Sequence, residues 1–239
     1  MKNILIFFIF LIVGGDLFAQ RQIVKNNTNF DKKRLHFGFT VGVSTMDFSI
    51  KNSDIFNHSD TISEIYSIQN QKTYGFLLGP ISNLRLGEYF DLRVLINFNF
   101  GQRNLNYLIA DSVNGELVFR NHIMQIASTY MEFPILIKYK AERLNNFRPY
   151  IIAGINPKYD LAARKKINED ELPKLRLNRF DVCYDLGLGS DFYLPFFKLS
   201  VELKISSGLK NLLVSDGTQY SSAINKLQSH IFYLSFHFE

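Results

Sequence analysis

Tryptophan is missing from this sequence, so any aromatic belt must be built from its 23 phenylalanines and 12 tyrosines. Cysteine is nearly missing. Cys183 stands alone, which excludes an internal disulfide framework and a Cys-based zinc site. The five histidines (36, 58, 122, 230 and 237) show no metal-ligand spacing. Long apolar runs are missing too. The longest, Ile4 to Val13 in MKNILIFFIFLIVGGDLFAQ, has about ten residues where a spanning helix needs roughly 20. With Lys2 before it and Gly14 and Gly15 after it, this run reads as a secretory signal over residues 1–19, cleaved after Ala19. Leu17, at the minus-three position, is bulkier than usual there. No later segment approaches a transmembrane helix, so a membrane-embedded form of this chain must cross with strands.

What remains is ordinary for a folded protein: 239 residues, 46% apolar and 21% charged, enough for one domain or two small ones. The net charge of +5 reads as scattered solubilising charge; it also suits an anionic surface such as lipopolysaccharide. Residues 20–34, QRQIVKNNTNFDKKR, are polar, basic and without periodicity, which predicts a flexible N-terminal segment.

From residue 35 onward the dominant signal is strict alternation, the mark of a strand with two unlike faces. In FDLRVLINFNFG, Phe90, Leu92, Val94, Ile96, Phe98 and Phe100 share one face, and Asp91, Arg93, Leu95, Asn97, Asn99 and Gly101 the other. The same pattern recurs in LHFGFTVGVS, YGFLLGPISNLRL, STYMEFPILIKY, PYIIAGINPKYDL, FDVCYDLGLGSDFYL, FKLSVELKISSG and HIFYLSFHFE, eight strands in all. Short connectors (GEY, AERLNNFR and LPF) alternate with connections of about 20 residues after strands one, three, five and seven. Short turns at one end and long loops at the other is the plan of an outer-membrane barrel. A soluble sandwich has no reason to segregate loop length in this way.

The polar faces indicate which side is inside. They mix glycines with charges of both signs, among them Arg93, Glu132, Lys138, Lys158, Asp181, Asp185, Lys198, Glu202 and Lys204. An eight-stranded barrel has an interior just wide enough for side chains to fill, and opposite charges can pair there. The expected fold is therefore all-β: an eight-stranded antiparallel transmembrane barrel over residues 35–239 with a filled polar lumen, integral to the outer membrane. Its turns and N-terminus are expected in the periplasm, and a diffusion pore is not expected. Tyr89, Phe90, Tyr139, Phe147, Tyr150, Phe192, Tyr193, Phe196 and Phe197 cluster near the short-turn ends as a candidate interfacial girdle. Pro80, Pro134 and Pro157 fall inside strands and predict interrupted pairing with bulges.

Catalytic readings are weak. Asp181, Asp185 and Asp191 share a face, but lumenal ion pairing explains them better than acid–base work. Ser235, His237 and Glu239 match the residue types of a hydrolytic triad. Neighbours two apart on a strand are about 6.5–7 Å apart, however, beyond hydrogen-bond reach. Gly187-Leu188-Gly189 lacks the rest of a dinucleotide fingerprint. Residues 163–179, ARKKINEDELPKLRLNR, read as a solvated outer loop that could meet lipopolysaccharide or protein. No catalytic, metal or cofactor residue is assigned, and neither nucleic acid nor a small-molecule substrate is expected.

The segments LHFGFTVGVSTMDFSI, ISNLRLGEYFDLRVLINFNFGQRNLNY and MEFPILIKYK…RPYIIAGINPKYDL together resemble the PorT (also SprT) family across nearly the whole mature chain. This is an outer-membrane barrel component of the type IX secretion system of Bacteroidota. The EFPILIKYK…RPYIIAGINPKY section is common to many small barrels of that phylum. The FGFTVGVSTMDF and NLRLGEYFDLR…FGQRN sections are more particular to PorT. The resemblance implies a non-enzymatic accessory of a machine that carries folded, C-terminal-signal-bearing cargo across the outer membrane and supports gliding in some relatives. Its partners would be outer-membrane lipid and other secretion proteins, and it brings no catalytic residues with it.

Overall fold

The computed structural model describes residues 24–53, 65–113, 116–163, 175–215 and 219–239; the signal segment lies outside them. The strands are β1 (Leu35–Asn52), β2 (Ile65–Gln71), β3 (Thr73–Arg85), β4 (Phe90–Leu95), β5 (Asn97–Val113), β6 (Glu116–Glu132), β7 (Ile135–Lys140), β8 (Phe147–Asp160), β9 (Phe180–Tyr193), β10 (Lys198–Gly208) and β11 (Ile224–Phe238). All their pairings are antiparallel. A ring closes through eight of them, in the order β1-β3-β4-β7-β8-β9-β10-β11 and back to β1. β2, β5 and β6 continue β3, β4 and β7 respectively, so the walls of the cylinder are the eight alternating segments read from sequence.

Alternation places the side chains as expected. Phe90, Val94 and Ile96 face outward, while Asp91, Arg93, Asn97 and Asn99 are buried inside. Ten residue steps from Phe90 to Phe100 cover about 33 Å of strand, which a tilt near 40° reduces to about 25 Å, the height of a lipid-facing band. A one-residue slip would turn Arg93 into lipid, where a cation costs about 2–4 kcal/mol at mid-bilayer. Stacked or tilted aromatic pairs run round the outside near the short-turn end. These are Phe90 with Tyr139 at 5.0 Å, Phe147 with Phe192 at 5.4 Å and Phe39 with Phe238 at 4.7 Å between ring centroids. Two members of the expected girdle do not join it, because Tyr150 and Tyr193 point into the lumen. Gly189 makes room for the first of these: a Cβ there would lie 2.5 Å from the Tyr150 ring.

The prolines interrupt pairing without bulging it. The ladder breaks at Ile96 and at Phe133–Pro134, yet register is unchanged across both gaps. Val94↔Ile135 and Asn97↔Glu132 belong to one continuous series, as do Glu132↔Lys158 and Ile135↔Ile155. Each proline carbonyl accepts a bond from the strand opposite: Ile96 N to Pro80 O at 3.2 Å, Leu95 N to Pro134 O at 3.1 Å and Phe133 N to Pro157 O at 2.9 Å. In an antiparallel hydrogen-bonded pair the reciprocal bond would come from the proline N–H, which does not exist. One bond is lost at each site, and the inside–outside alternation holds the register.

The connection after the third sequence strand is not a long loop. β5 and β6 pair without a shift from Asn97↔Glu132 up to Val113↔Glu116, leaving only Asn114-Gly115 between them. With β2 alongside β5, this forms a three-stranded sheet rising beyond the lipid band. Its inner face carries Ile68, Leu105, Tyr107 and Met124. They join Phe48, Leu175, Leu177, Leu212, Ile224 and Leu227 in a dry apolar core over the loop end of the barrel.

Candidate functional site

The lumen is the place where this sequence concentrates chemistry. Below the apolar core, inward side chains from opposite walls meet in ion pairs. Arg93 reaches Glu202 at 2.5 Å and lies 3.6 Å from Glu239, which Lys198 holds at 2.8 Å. Lys138 pairs with Asp191 at 2.7 Å, Lys140 with Asp91 at 2.6 Å, Lys204 with Asp185 at 2.8 Å and Arg103 with Asp160 at 3.2 Å. Tyrosines knit the pairs together. Tyr150 donates to Glu202 at 2.9 Å and lies under the Lys138 ammonium at 3.7 Å. Tyr233 donates to Glu132 at 2.7 Å and accepts from Lys158 at 2.9 Å. Every one of these ionised groups is buried. Charges far from water persist only when paired and hydrogen-bonded, so the network holds the walls at fixed separations.

The residues weighed for catalysis are absorbed into this filling. Asp185 also accepts from Asn156 and Ser206, and Asp191 also accepts from Ser200. Asp181 accepts a bond from the Cys183 thiol at 3.4 Å and another from Val182 N on its own strand. His237 is held by Thr40 Oγ1 at 2.8 Å and Glu202 at 3.4 Å, while Ser235 and Glu239 lie beside it within the lumen. All three triad-type side chains are therefore turned away from lipid. His36 stacks on Phe30 at 3.9 Å, His230 meets Ser207 at 3.1 Å and His122 lies near the Tyr220 ring; His58 is outside the described residues. The middle of the expected outer loop, 164–174, is likewise outside them. Its ends are only partly solvated: Ala163, Leu175 and Leu177 are buried, while Asn178 and Arg179 are exposed.

At the short-turn end Arg85, Asp91, Lys140, Asp191, Tyr193 and Lys198 line the mouth of the lumen, and Arg143 and Arg148 reach it through Asp31. Residues 24–33 cross this mouth, with a single 3-10 turn at Phe30–Lys32. Asp31 meets Arg143 at 3.2 Å, Arg148 at 3.4 Å and the Tyr193 hydroxyl at 2.9 Å. No local sequence pattern announces this contact, because its partners stand more than 100 residues away in the chain.

An all-antiparallel closed ring, apolar outside and ionised inside, agrees with the match of residues 18–214 to the family described as outer membrane protein beta-barrel domain. The chain belongs to that family. It is an integral outer-membrane β-barrel. Solved structures similar to this barrel include Neisserial surface protein A (8% identity, 86% of this chain and 98% of that one, TM-score 0.43). Another is OprG of Pseudomonas aeruginosa (11% identity, 91% and 97%, TM-score 0.46). A third is the N-terminal β-barrel domain of Pseudomonas aeruginosa OprF (12% identity, 83% and 96%, TM-score 0.31). No curated protein sequence matches the chain.

Proposed function

We propose that this barrel is a non-enzymatic subunit or accessory of the type IX protein secretion machinery, needed to deliver C-terminal-signal-bearing cargo to the cell surface. The observation that carries the reading is the filled lumen. Ion pairs such as Arg93–Glu202 and Lys138–Asp191 span it, so no cargo passes through the cylinder, and the working surfaces are its two rims and its outer wall. The segments most particular to the PorT resemblance support the assignment. They occupy β1, β3, β4 and β5, which pair in sequence as one contiguous part of the wall. Partners would be outer-membrane lipid, lipopolysaccharide and other secretion proteins on the periplasmic or outer side.

Deleting the gene should abolish surface delivery of cargo, and the purified protein should give no steady conductance in planar bilayers. Normal secretion by the deletion strain would contradict the assignment. It would favour the second reading, a stand-alone barrel for envelope integrity or adhesion. The β5–β6 hairpin rising beyond the lipid band supports that alternative. A lipid-modifying enzyme is disfavoured by the lumenal placement of Ser235 and His237; it requires Ser235→Ala to change the mass spectrum of lipid A.

A further inference from the structure

The segment across the short-turn mouth is held as a ligand is held. The barrel supplies a preformed receptor. Arg148 is pinned by its own bonds to Ala141 O at 2.7 Å and Glu88 O at 3.1 Å, and Arg143 by a bond to Asn145 O at 2.8 Å. The Arg143 guanidinium also lies 3.6 Å over the Tyr193 ring. Both arginines are thus oriented by turn backbone and present their remaining donors to the mouth. In the ion pairs of the described residues, the carboxylate that meets both of them is Asp31. Beside it, Phe30 stacks on His36, meets the Tyr193 ring edge-on at 6.1 Å and lies under Lys198 at 4.6 Å. The chain upstream is read through its backbone and asparagines: Asn146 donates to Val24 O, Asn26 N donates to Asn146 Oδ1, and Asn27 donates to Leu194 O.

The segment itself is shallowly seated. None of the residues of its 3-10 turn is buried, and the Asp31 side chain is 31% exposed. An aromatic on a cationic shelf and a carboxylate shared by two guanidiniums recognise a simple chemistry. Little apolar burial opposes the segment's release.

We propose that this mouth is a docking site for a polypeptide turn carrying an aromatic residue followed directly by a carboxylate. The protein's own Phe30–Asp31 occupies it in cis until such a segment of a periplasmic partner displaces it. The partner's compartment rests on the proposed orientation, with turns in the periplasm; the recognition chemistry does not.

The test uses the full mature chain in detergent micelles and a fluorescent peptide of residues 24–34, VKNNTNFDKKR, followed by anisotropy. Asp31→Ala in the barrel should free the site and bind the peptide at least tenfold more tightly than the unaltered protein. Adding Arg143→Ala should remove that gain, and a peptide with asparagine in place of its aspartate should not bind. Equal binding by the unaltered and Asp31→Ala proteins, or a gain that survives Arg143→Ala, would overturn the proposal. If Asp31→Ala fails to fold, as judged by heat-modifiable migration, Phe30→Ala serves in its place. A nitroxide at Lys25→Cys in a Cys183→Ser background gives an independent reading: excess peptide should sharpen its spectrum, and an unchanged spectrum would count against exchange. Reaction of that cysteine with an impermeant maleimide on intact cells would overturn the periplasmic partner while leaving the docking chemistry standing.

Discussion

The lower and upper parts of one strand wall obey opposite rules. From Phe90 to Phe100 the apolar residues hold the even positions and look outward, and the odd positions carry Asp91, Arg93, Asn97 and Asn99 inward. Further along the same wall, Leu105 and Tyr107 hold odd positions and look inward, while the opposite face carries half-buried Gln102 and Asn106, with Asn104 covered by its hydrogen bonds to Gln71 and Gln102. β1 changes in the same way, from outward Phe37, Phe39, Val41 and Val43 to inward Met46 and Phe48. The backbone does not change its alternation. What changes is the medium outside, from acyl chains to water. Below the boundary the ionised groups are inside; above it apolar side chains such as Leu105, Tyr107 and Met124 fill the inside, although Tyr66, Phe119 and Ile123 stay exposed on the outer face.

The largest effect should come from breaking the lower half. Arg93→Met leaves Glu202 and Glu239 short of a cation in a dry lumen and should cost about 3–5 kcal/mol. Urea titration in micelles, read by heat-modifiable migration, measures it. Next, Leu105→Ala opens a cavity in the upper core and should cost on the order of 3 kcal/mol. Amide exchange should show that loss in β2, β5 and β6, with the β8–β9 ladder still protected. A slightly smaller effect separates the outer surfaces of the two halves. Val94→Arg should lose about 2–4 kcal/mol to the bilayer, whereas Ile123→Arg, outward on β6 above the band, should stay within about 0.5 kcal/mol. Smallest is Pro80→Val, which returns the N–H facing Ile96 O and should gain about 1 kcal/mol.

The lower half is legible apart from the girdle tyrosines Tyr150 and Tyr193, which turn into the lumen, because lipid outside and charge inside give alternation its strongest contrast. Arg93, Lys138 and Glu202 belong in the lumen on that ground alone, and they lie there. The upper half reads as loop because its apolar phase inverts at the boundary. Past Ile96, Phe98 and Phe100, the even positions continue with Gln102 and Asn104, and the apolar pattern stops. Asn114-Gly115, a strong hairpin signal, marks the true end of the strand. The prolines announce interruptions but not bulges, since a missing N–H removes a bond and does not insert a residue. The Asp31 contacts are illegible for a different reason: Arg143, Arg148 and Tyr193 come together only when the turns converge at the mouth.

The most direct test is site-directed nitroxide scanning of residues 90–109 in bilayers, comparing collisions with oxygen and with a water-soluble nickel chelate. Even positions from 90 to 100 should collide with oxygen, and odd positions from 91 to 107 with neither reagent. Beyond residue 101 the even positions 102, 106 and 108 should switch to the nickel reagent. Nickel access at Arg93 or Asn97, or oxygen access continuing past residue 101 without a switch, would contradict a filled barrel whose polarity inverts at the membrane boundary.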